Sequence, residues 1–251
     1  MIATINLTKK YSTITAVKDI NLNVRAGEIF GFLGPNGAGK TTTIRMLAGV
    51  LKPTSGSIYI AGVNMSTHPC EAKRMIGFIP DHPFLYGKLT GREFLSFVGQ
   101  LYGVDKTHIE MRMDSLLDLF EMKNYAGELI EGYSHGMKQR LVMCAALLHQ
   151  PRILIVDEPM VGLDPKAAQI VKDLFRDLSN NGMSVFMSTH TLEIAEEMCD
   201  RIGIIHDGSL IAVGTMAELR AATGGTAEKL ETIFFKLTGE QSRDERSFYP
   251  H

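Results

Sequence analysis

Gly34-Pro-Asn-Gly-Ala-Gly39-Lys40-Thr41 carries the spacing G-x-x-x-x-G-K-[ST], with an apolar run before it and a helical run after it. Its glycines let the backbone close around an anion, and the loop N–H groups converge with the first turn of the helix. Lys40 brings a positive charge to the β- and γ-phosphates, and the Thr41 hydroxyl can ligate Mg²⁺. The pattern predicts a nucleoside triphosphate held by Gly34, Pro35, Asn36, Gly37, Ala38, Gly39, Lys40, Thr41 and Thr42. A Gly-rich turn with a chance lysine is the competing reading, and both flanks weigh against it.

A second chemical group lies far along the chain. Ile153-Leu-Ile-Val156 ends on two acids, Asp157 and Glu158. Ligands of an open parallel sheet sit beyond the carboxyl ends of its strands, so the pair should face the phosphate loop. Asp157 is the candidate Mg²⁺ ligand, and Glu158 the candidate for orienting and deprotonating an attacking water. An acidic turn capping the next helix is the alternative. His190 closes Ser184-Val-Phe-Met187-Ser-Thr-His190 at the end of another apolar run, where an imidazole could reach the γ-phosphate.

These groups need elements to carry them. Ile20, Leu22 and Val24 alternate with Asn21 and Asn23 as in a half-buried strand, and Ile29 to Leu33 begins another. Ser57 to Ala61 and Met75 to Ile79 read as further short strands. Between about 85 and 150 the pattern turns helical. Phe94, Leu95, Phe97, Val98, Leu101 and Tyr102 form a wide apolar stripe, and Ile109 to Met122 repeats the signal. Strand–helix alternation then resumes, which argues for an α/β core with an inserted helical subdomain. Thr215 and Glu218 form a capping box. Residues 221–226 read as a flexible joint before a last helix over about 228–237, with a polar, disordered final dozen.

Composition narrows the classes. Apolar residues make up 45% and charged residues 22%, as in a protein that buries a sizeable core. Twenty-six basic against twenty-eight acidic side chains give −2, so no field of one sign favours nucleic acid, and no nucleic-acid partner is expected. The three cysteines, Cys70, Cys144 and Cys199, lie far apart and make neither a disulfide framework nor a standard zinc site. The longest apolar stretch, Leu141 to Leu148, is far short of the ~20 residues that cross a bilayer. No apolar export segment follows Met1, so a soluble, cytosolic protein is expected.

Tyr133-Ser-His-Gly-Met-Lys-Gln-Arg140 narrows the field further, with Ser134 placed to cap a helix. It resembles the signature of ATP-binding-cassette (ABC) proteins. The rest of that family's set stands in order: the phosphate loop, Asp157-Glu158, Gly162-Leu-Asp-Pro165 as the D-loop, and His190 as the switch histidine. The resemblance runs from about Tyr11 to Gly214. It implies a P-loop NTPase core with a parallel sheet, an N-terminal antiparallel β subdomain and an inserted helical subdomain carrying the signature. It also implies an ABC ATPase domain over about 1–220 and a short extension over 221–251.

The resemblance further implies two cassettes, identical or not, joined head to tail with ATP and Mg²⁺ between the phosphate loop of one and the signature of the other. Ser134 and the Gly136 N–H would meet the γ-phosphate, Asp164 would lie at the seam, and Tyr11 with its apolar neighbour Val17 would receive adenine. An exposed strand-end tyrosine is the other reading of Tyr11. The sequence departs from the family's L-S-G-G-Q at His135 and Met137. Where the Q-loop glutamine is usual it carries Asp81, a hard-cation ligand, shorter and charged.

The wording of the signature and the Leu230 to Gly239 segment resemble ABC-2-type, exporter-like cassettes. The implied function is an ATPase subunit at the cytoplasmic face of the membrane, energising a separate permease. Phe84, Leu85 and Tyr86, just beyond Asp81, fall where the family receives the permease, unless they pack inside the helical subdomain. A soluble ABC ATPase unconnected with transport, or a binding-only regulatory cassette, are the rival readings. The first usually carries two cassettes, a long coiled coil or zinc cysteines, and Glu158 and His190 argue against the second.

Overall fold

The computed structural model describes residues 1–224 and 229–239. Two sheets organise them. The smaller is antiparallel, in the order β2-β1-β4-β5, from β1 (Ile2–Tyr11), β2 (Ile14–Val24), β4 (Ser55–Ile60) and β5 (Val63–Asn64). The larger runs β10-β9-β3-β8-β7-β6, from β3 (Ile29–Leu33), β6 (Ile76–Ile79), β7 (Ile153–Asp157), β8 (Ser184–Thr189), β9 (Arg201–His206) and β10 (Ser209–Gly214). All its pairings are parallel except β10 on β9. The expected parallel sheet therefore carries one antiparallel edge strand. Asp207-Gly208 makes that hairpin, with φ of 46° and 78°, the left-handed pair a two-residue turn needs.

The period of two sorts the core onto both faces of the larger sheet. Leu154, Val156, Val185 and Met187 face one way, toward α5 (His135–Leu148) and α6 (Pro165–Asn180). Ile153, Ile155 and Phe186 face the other, with Phe30, Phe32 and α1 (Lys40–Leu47), against the antiparallel sheet. Phe30 and Phe186 stack at 5.6 Å between ring centres. Burying a side chain of that kind is worth about 2 kcal/mol, so this layer fixes the relative register of β3 and β8.

The helical stretch comprises α3 (Gly91–Leu101), α4 (Lys106–Leu119) and α5, after α2 (Pro69–Arg74). The apolar stripe of α3 is narrower than its sequence suggests. Phe94 and Leu95 are buried, whereas Phe97 and Leu101 face outward, 40% and 68% exposed. The second helix starts and ends earlier than expected, Asp105 capping it through the Thr107 N–H at 2.9 Å. Ser134 caps α5 by accepting from the Met137 N–H at 3.3 Å. From Leu141 to Leu148 that helix is buried on every side.

The chain closes with α7 (Leu192–Met198), α8 (Met216–Ala222) and α9 (Leu230–Thr238). Thr215 and Glu218 make the expected capping box on α8, which takes Ala221 and Ala222 out of the anticipated joint. The remainder of that joint, and the polar final dozen, fall on or run into residues outside those described.

Candidate active site

Four neighbouring parallel strands end on the same side of the larger sheet, and the residues just beyond those ends build the site. After β3 comes the phosphate loop, after β7 Glu158, after β8 His190, and after β6 Pro80-Asp81. The register pairs Asp157 with Ser188 and Leu33 with Thr189, so the groups arrive level with one another. They line a cavity of about 490 Å³ that contains Asn36, Gly37, Gly39, Lys40, Thr41 and Thr42 on one wall, and Asp157, Glu158, His190 and Asp81 on another.

The loop is held from beneath. Gly39 has φ of 107°, and a Cβ there would stand 2.5 Å from the Ala16 carbonyl oxygen, so only glycine fits. The buried Lys40 donates to the carbonyls of Gly34 at 2.6 Å and Pro35 at 3.0 Å. Burial pushes its pKa below the usual lysine value, while Glu158 and Asp157 pull in the other direction. Ala38 is buried. Its carbonyl accepts from Gly208 N–H at 3.0 Å, and the Gly208 carbonyl accepts from Lys18 N–H at 2.7 Å, so the β9–β10 turn braces the loop.

On the facing wall, the buried Asp157 accepts a short hydrogen bond from the Ser188 hydroxyl. Glu158 adopts φ of 53°, a left-handed conformation uncommon for its residue type. Its carboxylate accepts from His190 Nδ1 at 2.8 Å. Asp81 pairs with His82 at 2.7 Å, and His82 lines the same cavity. His82, Ala16 and Val161 went unnoticed in the sequence because no spacing rule links them to the loop.

Val17 is fully buried beside the loop, and Ala16, one step along β2, lines the cavity. Period-two alternation had marked that strand without saying which face the site would use. Among the described residues, Tyr11, Ser134, Gly136 and Asp164 also stand outside the cavity. Tyr11 is 46% exposed, with Lys9 Nζ 5.2 Å from its ring centre. Ser134 is exposed at the tip of α5, and Asp164 caps α6 through the Ala167 N–H at 2.8 Å. Gly162 and His135 bind these two tips together, since a Cβ on Gly162 would lie 2.2 Å from the His135 ring.

A family model described as ABC transporter matches residues 17–161, which span the phosphate loop, the helix that Ser134 caps and the Asp157-Glu158 pair. The chain belongs to the ABC transporter family. It is the ATP-binding, ATP-hydrolysing subunit of such a transporter. The cassette is 40% identical to the linearmycin resistance ATP-binding protein LnrL of Bacillus subtilis, over 88% of this chain and 71% of that protein. It is 42% identical to the bacitracin transport ATP-binding protein BcrA of Bacillus licheniformis, over 84% of this chain and 68% of that protein. Among solved structures, an ATP-binding subunit of an ABC transporter superimposes with a TM-score of 0.91 at 32% identity, covering 95% of this chain and 99% of that one. A dimeric cassette in a post-hydrolysis state, bound to ADP and Pi, gives 0.80 at 26% identity, covering 86% and 99%.

Proposed function

We propose that this cassette hydrolyses ATP at the 490 Å³ cavity as one half of a head-to-tail dimer, and that the cycle drives a separate permease of exporter type. The observation that carries the reading is the Glu158–His190 pair standing across the cavity from Lys40. Gly34 to Thr42 hold the triphosphate. Glu158 orients and deprotonates the attacking water, and His190 fixes the carboxylate while facing the terminal phosphate.

The donor set suits Mg²⁺. Among the described residues, no group of His, Cys, Asp and Glu forms a self-sufficient metal cage. Oxygen donors do converge from Thr41, Asp157 and Asp81, as for a hard cation that completes its shell with phosphate and water. Those residues would hold the ion, which neutralises charge on the phosphates.

Ser134 and Asp164 are exposed and Gly136 is half-buried beside them, which supports their meeting the nucleotide of a second cassette, identical or not. Tyr11 at the end of β1 is 46% exposed, so its ring can cover adenine once Lys9 moves off it. Phe84 and Tyr86 support a permease site beside the cavity. They are 84% and 49% exposed and meet edge to face at 5.8 Å, while Leu85 packs on the core and Tyr86 also leans on Phe94 and Phe97 of α3. No helix among the described residues is long and apolar enough to cross a membrane, which is consistent with attachment to the cytoplasmic face through that site. We take 1–220 as the ATPase domain, 85–150 as its helical insertion, and α9 as an extension docked on it.

Phosphate release by the parent and by Lys40→Ala tests the catalytic reading, and equal rates would overturn it. Sedimentation with membranes only when a neighbouring permease gene is co-expressed tests the transport reading, and sedimentation without it would overturn that part.

A further inference from the structure

A second cavity, of about 260 Å³, shares a wall with the nucleotide cavity. Asn36 and His190 line both. Phe234 of α9, an element outside the matched residues 17–161, also lines the second cavity. This helix touches both halves of the machinery. Its buried residues Leu230, Ile233 and Phe234 pack in one cluster with Leu33, the last residue before the phosphate loop, and with Ala195 of α7, the helix that comes after His190. A polar tie reinforces the second contact. Glu196 of α7 accepts from the Leu230 N–H at 3.2 Å and from the Arg220 guanidinium at 2.8 Å.

The geometry assigns α9 a role in the hydrolytic step. We propose that Phe234 and Glu196 are positioning residues for His190, limiting how far it can withdraw from Glu158 into the second cavity. The inference rests on the hydrolytic role proposed for His190. Close-packed interiors transmit displacement, and an unfilled space beside a side chain is where it can move. Here that space adjoins the imidazole, and Phe234 lines it together with Pro35, Thr189 and Leu192. Glu196 fixes α7 to the start of α9, so that the His190 segment and Phe234 keep their separation. The effect acts on the water-attack step and leaves the phosphate-loop contacts with ATP in place.

Steady-state hydrolysis by the full chain provides the test. Phe234→Ala is expected to lower kcat roughly five- to twentyfold while KM for ATP stays within about twofold, a split that general loosening of the fold would not give. Phe234→Leu, which keeps the cavity bounded, should restore most of the loss, and Glu196→Gln should lower kcat in the same manner. The chain has no tryptophan, so Phe234→Trp supplies one selectively excitable indole against seven tyrosines, and its emission should shift when ATP and Mg²⁺ are added.

Unchanged kcat in Phe234→Ala, or a fall matched by an equal rise in KM, would overturn the assignment. So would unchanged emission from the Phe234→Trp protein. Should Phe234→Ala fail to fold, Glu196→Gln decides the matter by the same split. His190→Ala separates the two levels. If it abolishes turnover while Phe234→Ala does not change it, only the α9 inference falls; if His190→Ala hydrolyses at the parent rate, the hydrolytic reading itself falls.

Discussion

His190 Nδ1 lies 2.8 Å from the Glu158 carboxylate, and the two residues leave the ends of adjacent strands, β8 and β7. A carboxylate held by an imidazole has one orientation toward the cavity, which general-base attack by water requires. Glu158→Gln keeps the shape and removes the base. Hydrolysis should fall on the order of 10²- to 10³-fold while ATP still binds and the dimer accumulates. Phosphate release and gel filtration in ATP measure both, and a Glu158→Gln protein that turns over at the parent rate would remove this residue from the chemistry.

Gly162 and His135 should behave as a steric pair. A Cβ at 162 would sit 2.2 Å from the His135 ring on a backbone of φ 78°. Gly162→Ala should cost about 1–2 kcal/mol in unfolding free energy, a small part from moving the exposed His135 ring aside and most, about 1 kcal/mol, from the left-handed backbone. The double variant Gly162→Ala with His135→Gly should recover the first part only. A double-mutant cycle by urea unfolding would show the coupling, and additive losses would contradict it.

Stability should fall with acid through His149. Its ring stacks on Tyr102 at 3.7 Å, and Nε2 bonds the Ile76 carbonyl at 3.0 Å. Burial, helped by the Arg112 charge, lowers its pKa from 6.5 to about 4 against the pull of that hydrogen bond. Between those values the unfolded chain binds a proton that the folded chain refuses. The contribution is therefore full above 6.5 and is lost as pH falls toward 4, up to about 3 kcal/mol before screening at its partly exposed edge. His149→Gln should flatten the unfolding profile between pH 6.5 and 4, and parallel profiles would show that the ring titrates normally.

Phe84 offers a change that the fold should not feel. At 84% exposure, Phe84→Asp should move unfolding by less than about 0.5 kcal/mol. Recovery of the cassette with permease-containing membranes should nevertheless drop severalfold. Undiminished recovery would place the docking surface elsewhere.

Much of this could be read from the chain because its chemistry sits at strand ends. Ile153 to Asp157 showed a buried strand followed by acids, and Ser134 announced the start of a helix; both are local signals. The sidedness of β2 was not local. The family resemblance pointed to Val17, and nothing near it showed that Ala16 would line the cavity. Phe234 comes to the second cavity through packing between distant segments, which no spacing rule encodes, whereas His82 simply follows Asp81 beyond the end of β6. The Asp207-Gly208 turn did have a local signature, a dipeptide between apolar runs, and with it the β9–β10 hairpin was open to discovery.

That hairpin tip has a practical corollary for anyone wishing to label the molecule. Surface turns are commonly where a chain tolerates a grafted epitope or fluorophore. This one grips Ala38 through the Gly208 amide and Lys18 through the Gly208 carbonyl. A peptide spliced between Asp207 and Gly208 would tug on the cradle of the triphosphate itself, so the most inviting bend on that edge is a poor place for a tag.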